Sequence, residues 1–191
     1  MKALAHQGDA LGHHIHLHTY DLLNPSDLDL TDIEYCITYA GWLPPDNSEP
    51  EKTMLVNCTG IQFFLDKLIN VNRLILEHVV ITGSIAGVRV RPSNEAYGKA
   101  KHCLHQYVHN LQEKYGAKIT FTLVIPGYVQ TKMIAGHNTP ALLTVSTQKM
   151  ARKYIDYLES KPKLAYSQPA WGLIAIVIKM IPGFILKRMK F

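Results

Sequence analysis

The stretch His78–Lys101, HVVITGSIAGVRVRPSNEAYGKAK, decides how this chain is read. Its opening, Val79-Val80-Ile81, is an apolar β-branched run bounded by Thr82-Gly83-Ser84, the pattern of a buried strand. Gly87 and Arg91-Pro92-Ser93-Asn94 make a turn-rich connection, and helical spacing begins near Glu95. Tyr97 and Lys101 are four residues apart on that predicted helix, so they share a face with Cβ atoms about 5–6 Å apart. Ser84 falls where the strand's carboxyl end meets a loop, the usual place for a ligand in an open α/β sheet. The trio has a joint chemistry. A phenol that titrates at about 10 is a poor proton donor or acceptor at neutral pH, and a neighbouring ammonium favours its ionised form. Ser84 can then hold a substrate oxygen against the Tyr97 hydroxyl. Such a set suits interconversion of a carbonyl and an alcohol with hydride carried by a nicotinamide, because no side chain carries hydride itself.

Upstream of this stretch, Ile33–Tyr39 (IEYCITY) reads as a buried strand ending in Ala40-Gly41, where glycine lets a ligand approach the backbone. After a Pro/Asp/Asn-rich loop, Glu51–Ile69 carries Met54, Leu55, Cys58, Ile61, Phe64, Leu65 and Leu68 at helical spacing. Asn57 lies beside that stripe, where it is expected to face solvent unless it binds a water or a backbone group. Downstream, the helix from Asn94 to Lys114 has Leu104, Val108 and Leu111 on a core stripe and His102, His105 and His109 as a surface row. Lys118–Ile125 is a further buried strand. It runs into Pro126-Gly127-Tyr128-Val129-Gln130-Thr131, whose backbone donors and Thr131 hydroxyl can face a ligand. Ser146 reads as the N-cap of a helix over Thr147–Glu159, and Leu164–Tyr166 as a last short strand. Near the start, Ile15–Tyr20 alternates as a strand ending at Asp21, followed by a turn and a short helical segment over Leu22–Asp32. His14, His16 and His18 share one face of that strand without the Cys or carboxylate partners of a zinc site, so no metal is expected. Strands alternating with helices predict an α/β fold, a doubly wound parallel sheet in one domain over residues 1–191.

The chain carries a formal net charge of +5, and 47% of its residues are hydrophobic. The charge is uneven: Ser160–Phe191 holds six Lys/Arg and no acidic residue, which leaves the remainder at −1. That distribution argues for a basic tail and against nucleic-acid binding by the body. Cys36, Cys58 and Cys103 each sit in an apolar or helical context, so reduced thiols and a cytoplasmic location are expected. The N-terminus lacks the apolar core of a signal peptide.

In order and spacing these motifs resemble the short-chain dehydrogenase/reductase family over roughly Ile15 to Phe191. The matching parts are Asp21 after a strand, Thr38-Tyr39-Ala40-Gly41 where the family has Asn-Asn-Ala-Gly, and Asn57 in Val-Asn-x-x-Gly. Ser84 in Gly-Ser-Ile-Ala-Gly, Tyr97-x-x-x-Lys101 and Pro126-Gly-Tyr-Val-Gln-Thr131 complete the set. The resemblance implies a Rossmann-like fold and NADP or NAD as cofactor. It makes Tyr97 the general acid/base and has Lys101 lower the Tyr97 pKa while holding the nicotinamide ribose. It has Ser84 orient the substrate carbonyl and Asn57 anchor a water of the proton relay. Asp21 and Leu22 would lie near the adenine, Ala40 and Gly41 near the cofactor ribose, and Pro126, Gly127, Val129 and Thr131 along the nicotinamide and pyrophosphate. A homo-oligomer is the family's habit.

Two departures bear on function. Nothing in Met1–Gly12 matches the family's Gly-rich phosphate turn, so the chain reads as lacking most of the first β-α-β unit, about 40–60 residues. A partner's contribution or a truncated gene would each account for that, and so would a non-catalytic remnant serving as a partner subunit. The second is Thr38-Tyr39 in place of paired asparagines, which is expected to weaken a hydrogen bond between strands. The segment 169–191 begins Pro169-Ala170-Trp171-Gly172 and continues LIAIVIKMIPGFILKRMKF. With Arg89-Val-Arg-Pro-Ser-Asn, it more loosely resembles decaprenylphosphoryl-2-keto-ribose reductases, which implies a lipid-linked carbonyl substrate. Gly172–Leu186 is interrupted by Lys179 and Pro182 and is shorter than the about 20 residues a spanning helix needs. It reads either as a peripheral contact with the inner face of a membrane, through Trp171, Lys187, Arg188 and Lys190, or as a cover for the pocket or a second subunit.

Overall fold

The computed structural model describes residue 22 and residues 29–44, 48–131, 134 and 139–182. Asp21, the Ile15–Tyr20 strand, the histidines before it and the terminal Lys187, Arg188 and Lys190 lie outside the described residues. A four-stranded parallel sheet runs through the fold. Its strands are β1 (Tyr35–Thr38), β2 (His78–Thr82), β3 (Thr120–Ile125) and β6 (Leu164–Tyr166), side by side in that order. β2 and β3 lie in the middle, and their β-branched and aromatic residues are buried on both faces, as parallel strands require. Two residues each of β4 (Tyr128–Val129) and β5 (Thr144–Val145) form a small second sheet.

Side-chain alternation along β2 and β3 sorts the core into two layers. Val79, Ile81, Phe121, Leu123 and Ile125 face one cluster, which includes Leu65 and Leu68 and also Leu104, Val108 and Leu111. Val80 and Val124 face the other, with Met150, Ala151, Tyr154 and Ile155. The first helical layer consists of α1 (Pro50–Met54), a π-helical turn (Leu55–Thr59), α2 (Gly60–Val71) and the long α4 (Glu95–Tyr115). The second is α5 (Thr147–Ser160), whose predicted cap is present: the Ser146 hydroxyl accepts from the Lys149 N–H at 3.2 Å. A short α3 (Ile85–Val88) follows β2, and α6 (Pro169–Met180) follows β6. This is the expected Rossmann-like arrangement of parallel strands with helices on both faces.

Two expectations are corrected, and one alternative is decided. Cys58 and Cys103 are joined by a disulfide across 45 residues of sequence, so only Cys36 is a free thiol, pushed up to about 12 by burial. The thiol argument for a reducing compartment therefore fails. Asn57 takes the inward alternative, bound to backbone groups: the π-helical turn carries it to 0% exposure. The histidines of α4 are not a uniform surface row, because the His105 ring is half-buried under the end of β2.

Candidate functional site

Parallel strands with right-handed crossovers open their carboxyl ends to ligands. At those ends α4 delivers Tyr97 and Lys101, while the turn after β2 delivers Ser84. Lys101 is 2% exposed, and its ammonium donates to the Ala40 carbonyl at 3.2 Å and the Thr82 carbonyl at 3.3 Å. It thereby ties the ends of β1 and β2 together. Burial without a carboxylate partner pushes its pKa down to about 8. Its Nζ lies 5.9 Å from the centre of the Tyr97 ring. Burial raises the Tyr97 phenol above its ordinary value, and the hydrogen-bonded Ser84 hydroxyl pulls the opposite way. In this arrangement burial thus outweighs the acidifying field expected of Lys101.

Ser84 caps α3 with extended backbone, its Oγ accepting from the Ala86 N–H at 3.2 Å. The Ser84 N–H in turn donates to His105 Nε2 at 3.2 Å. Asn57 is held within the protein by three hydrogen bonds. Its Nδ2 donates to the carbonyls of Trp42 at 2.7 Å and Thr53 at 3.0 Å, and its Oδ1 accepts from the Trp42 N–H at 3.1 Å. The amide therefore clips the chain just after Ala40-Gly41. A π-helical turn displaces the regular ladder, and the Asn57 side chain takes up the Thr53 carbonyl there.

The predicted cofactor contacts divide. Ala40 and Gly41 border the cluster: a Cβ built on Gly41 would lie 3.5 Å from both Lys101 Nζ and Asn57 Oδ1. The Pro126 carbonyl accepts from the Ile85 N–H at 3.4 Å, which places the Pro-Gly turn beside Ser84. Gly127 faces an indole instead of open space, since a Cβ there would be 1.7 Å from Trp171 Cε2. Trp171 is 5% exposed, and its Nε1 donates to the Leu143 carbonyl at 3.0 Å. Val129 packs into the second core layer and Thr131 is exposed at the end of the turn. Leu22 packs against Gly60 and the first core layer.

The Thr38-Tyr39 departure is compensated locally. Tyr154 donates to Thr82 Oγ1 at 2.7 Å, Thr82 donates on to the Thr38 carbonyl at 2.5 Å, and the Tyr39 and Tyr154 rings lie 4.6 Å apart. Hydroxyls thus keep β1 and β2 bridged at the site. Among the described residues no group of three or more His, Cys, Asp or Glu could hold a metal. The residues present do fit the sugar end of a dinucleotide. Lys101 retains a third N–H beside the cradle over Gly41, next to a protonated phenol and a serine hydroxyl.

A parallel sheet with a Ser-Tyr-Lys cluster at its carboxyl edge places the chain among the Rossmann-like α/β proteins. A family model described as enoyl-(acyl carrier protein) reductase matches residues 32–156, more than half of the sequence, and the chain belongs to the short-chain dehydrogenase/reductase family. It is 29% identical over 112 residues to an uncharacterized oxidoreductase of Mycobacterium tuberculosis, a match covering 58% of this chain and 45% of that protein. The chain thus spans about half the length of that relative. The fold is similar to a 3-oxoacyl-[acyl-carrier protein] reductase of Brucella melitensis in complex with NAD (TM-score 0.68, 16% identity, 91% of this chain and 84% of that one). It is also similar to a short-chain dehydrogenase of Burkholderia cenocepacia in complex with NADP (TM-score 0.69, 16% identity, 78% and 65%).

Proposed function

We propose that this chain is an NAD(P)-dependent oxidoreductase that interconverts a carbonyl and an alcohol, with Tyr97 as the general acid/base. The observation that supports it most is the buried Lys101 ammonium held on two strand-end carbonyls beside a phenol hydrogen-bonded to Ser84. A lysine kept for stability alone would leave its charge in water, because burying an unpaired charge is costly.

When bound, the nicotinamide supplies the hydride. In the reducing direction Ser84 Oγ holds the substrate carbonyl oxygen, and Tyr97 delivers its proton to that oxygen as the C=O π bond opens. One C–H and one O–H bond form, and a tyrosinate remains to be reprotonated. Tyr97 holds that proton at neutral pH as any phenol does, and burial keeps its pKa above the ordinary value. Lys101 stabilises the tyrosinate and offers its remaining N–H to the cofactor ribose at Ala40 and Gly41. Asn57 fixes Trp42 next to that cradle, and the second lone pair of its Oδ1 remains for the water of the proton relay. The substrate proposed first is a lipid-linked keto sugar.

Tyr97→Phe should lower NADPH- or NADH-dependent carbonyl reduction by about 10²–10⁴-fold while leaving the chain folded and cofactor binding intact. An unchanged rate overturns the mechanism. Nicotinamide fluorescence should report binding tighter than about 100 μM, several kcal/mol. A folded chain that binds neither cofactor is instead a non-catalytic partner subunit.

A second reading concerns α6. Leu173, Ile176, Val177 and Met180 recur at helical spacing and are 66%, 59%, 51% and 77% exposed, in a segment without acidic residues. Among the described residues no helix is long and apolar enough to cross a membrane. We infer that this face lies in an anionic membrane interface, apolar side down and cations at the headgroups.

A further inference from the structure

Tyr97, Lys101 and His105 follow one another at intervals of four on α4, so each lies one turn beyond the last on a slowly drifting face. The first two are accounted for by the chemistry above. The third is a histidine that faces the protein, beneath the turn where β2 becomes α3.

The imidazole shapes that turn. A Cβ built on Gly83 would lie 2.4 Å from His105 Nε2, and one on Gly87 would lie 2.7 Å from His105 Cε1. Both positions flank Ser84, and both are glycine in the sequence. A larger residue at 83 would collide with the ring, and one at 87 with both the ring and the Lys101 main chain, also 2.7 Å away. Between them the Ser84 N–H points at Nε2, 3.2 Å away. An N–H can only donate, so Nε2 carries no proton and the ring is neutral with its proton on Nδ1. Burial and the nearby Lys101, His102 and Lys179 charges push the His105 pKa down to about 3, in keeping with that state. On its other side Ser84 is fixed by its own Oγ, which accepts from the Ala86 N–H. The backbone that carries the serine hydroxyl is therefore held at one end by α3 and at the other by α4.

We propose that His105 is a positioning residue for the site: by accepting the Ser84 N–H it sets the Ser84 hydroxyl against Tyr97. One helix then supplies the acid/base, the ammonium and the clamp that aims their common partner. The inference rests on the Ser84–Tyr97–Lys101 reading for its functional meaning, but its geometry is testable without turnover.

The test is NMR on the full chain with ¹⁵N-labelled histidine and ¹³Cζ-labelled tyrosine. Wild-type His105 should show the Nδ1–H tautomer with an unprotonated Nε2 from pH 8 to about 5. The Nε2–H tautomer would overturn the proposal outright. His105→Leu should speed hydrogen exchange of the Ser84 amide at least tenfold and shift the Tyr97 ¹³Cζ titration. His105→Gln, whose side-chain oxygen can accept the same N–H, should restore both toward wild type. A folded His105→Leu chain with an unchanged Ser84 amide and an unchanged Tyr97 titration overturns it too. Tyr97→Phe separates the two ideas. If that variant keeps its rate while the His105 readouts behave as expected, the catalytic reading fails and the clamp stands.

Discussion

Helices α4 and α6 flank the same short helix α3 and break the same rule in opposite directions. α4 is mostly polar, yet it buries Lys101 to 2% exposure and a half-buried histidine beneath the β2 turn. α6 is almost wholly apolar, yet it buries only Trp171 and Ala175 and leaves Leu173 and Met180 at 66% and 77% exposure. Neither inversion helps the fold stand: a buried ammonium loses hydration, and exposed leucine and methionine forgo burial worth about 25 cal/mol per Å². An inversion that costs stability is a place where function has been put. Inside α4 the buried polar groups converge on Ser84, Tyr97 and the strand ends, which marks chemistry. On the outer side of α6 Leu173, Ile176, Val177 and Met180 stay exposed, which fits the proposed contact.

The comparison breaks most easily at the residue that docks α6. Trp171 packs against Gly127, and its indole N–H donates to the Leu143 carbonyl. Gly127→Ala puts a methyl 1.7 Å from Cε2, so the ring must leave its place. Overpacking of this kind costs about 1–3 kcal/mol, occasionally more. A lower denaturation midpoint with Trp171 fluorescence shifted to the red is expected. An unchanged midpoint would mean that α6 is not docked through Trp171, and its exposed face would lose its fixed orientation.

The α4 side is sharpened by Lys101→Met, which keeps the length of the stem and removes the charge. The folded pKa is about 8 against an ordinary 10.5, so between those values the unfolded chain binds the extra proton and Lys101 makes stability rise with pH. Below pH 8 both states are charged and burial of the ammonium weighs in full, about 3 kcal/mol from that shift. The methionine variant should abolish this contribution. The wild-type-minus-variant stability difference then climbs between pH 8 and 10.5, whatever Cys36 and the tyrosines add to both curves. Two orphaned carbonyls, of Ala40 and Thr82, offset part of the gain at a cost of about 1–3 kcal/mol each. A flat difference curve would mean that the ammonium is not buried, and the contrast between the helices would collapse.

What the sequence carries and what it withholds follow the range of the interaction. Val79-Val80-Ile81 and Lys118–Ile125 announce strands through their own composition, and Tyr97 to Lys101 is one helical turn, so the parallel α/β class and the adjacency of Tyr97 and Lys101 were legible locally, while the order of the strands was not. The unforeseen features are contacts between distant residues. Cys58 and Cys103 each lie next to apolar residues of their own helices, and only the packing of those helices brings the sulfurs together. His105 shares its helix face with Lys101, a signal that was present at i+4. What hid it is its place in a row with His102 and His109, which reads as a single surface face. Gly127 was legible as a turn residue, but its need to lack a side chain comes from Trp171. Asn57 was placed on its helix correctly, and the π-helical turn that swings it inward has no composition of its own.

The smallest effect on stability, and the largest on location, is expected from the outer face of α6. Leu173→Gln with Val177→Gln changes residues that touch little, so the denaturation midpoint should move by no more than about 0.5 kcal/mol equivalent. Sedimentation with vesicles containing phosphatidylserine should fall several-fold relative to wild type, since the apolar contact is lost. Lys101→Met, altered only inside, should sediment as wild type does. Retained vesicle binding in the glutamine variant would remove the membrane from the account of α6. If wild type instead sediments as a dimer that the substitutions dissociate, the stripe is a subunit contact. The apolar outside of α6 would then be explained by a second copy of the chain, as the polar inside of α4 is by its site.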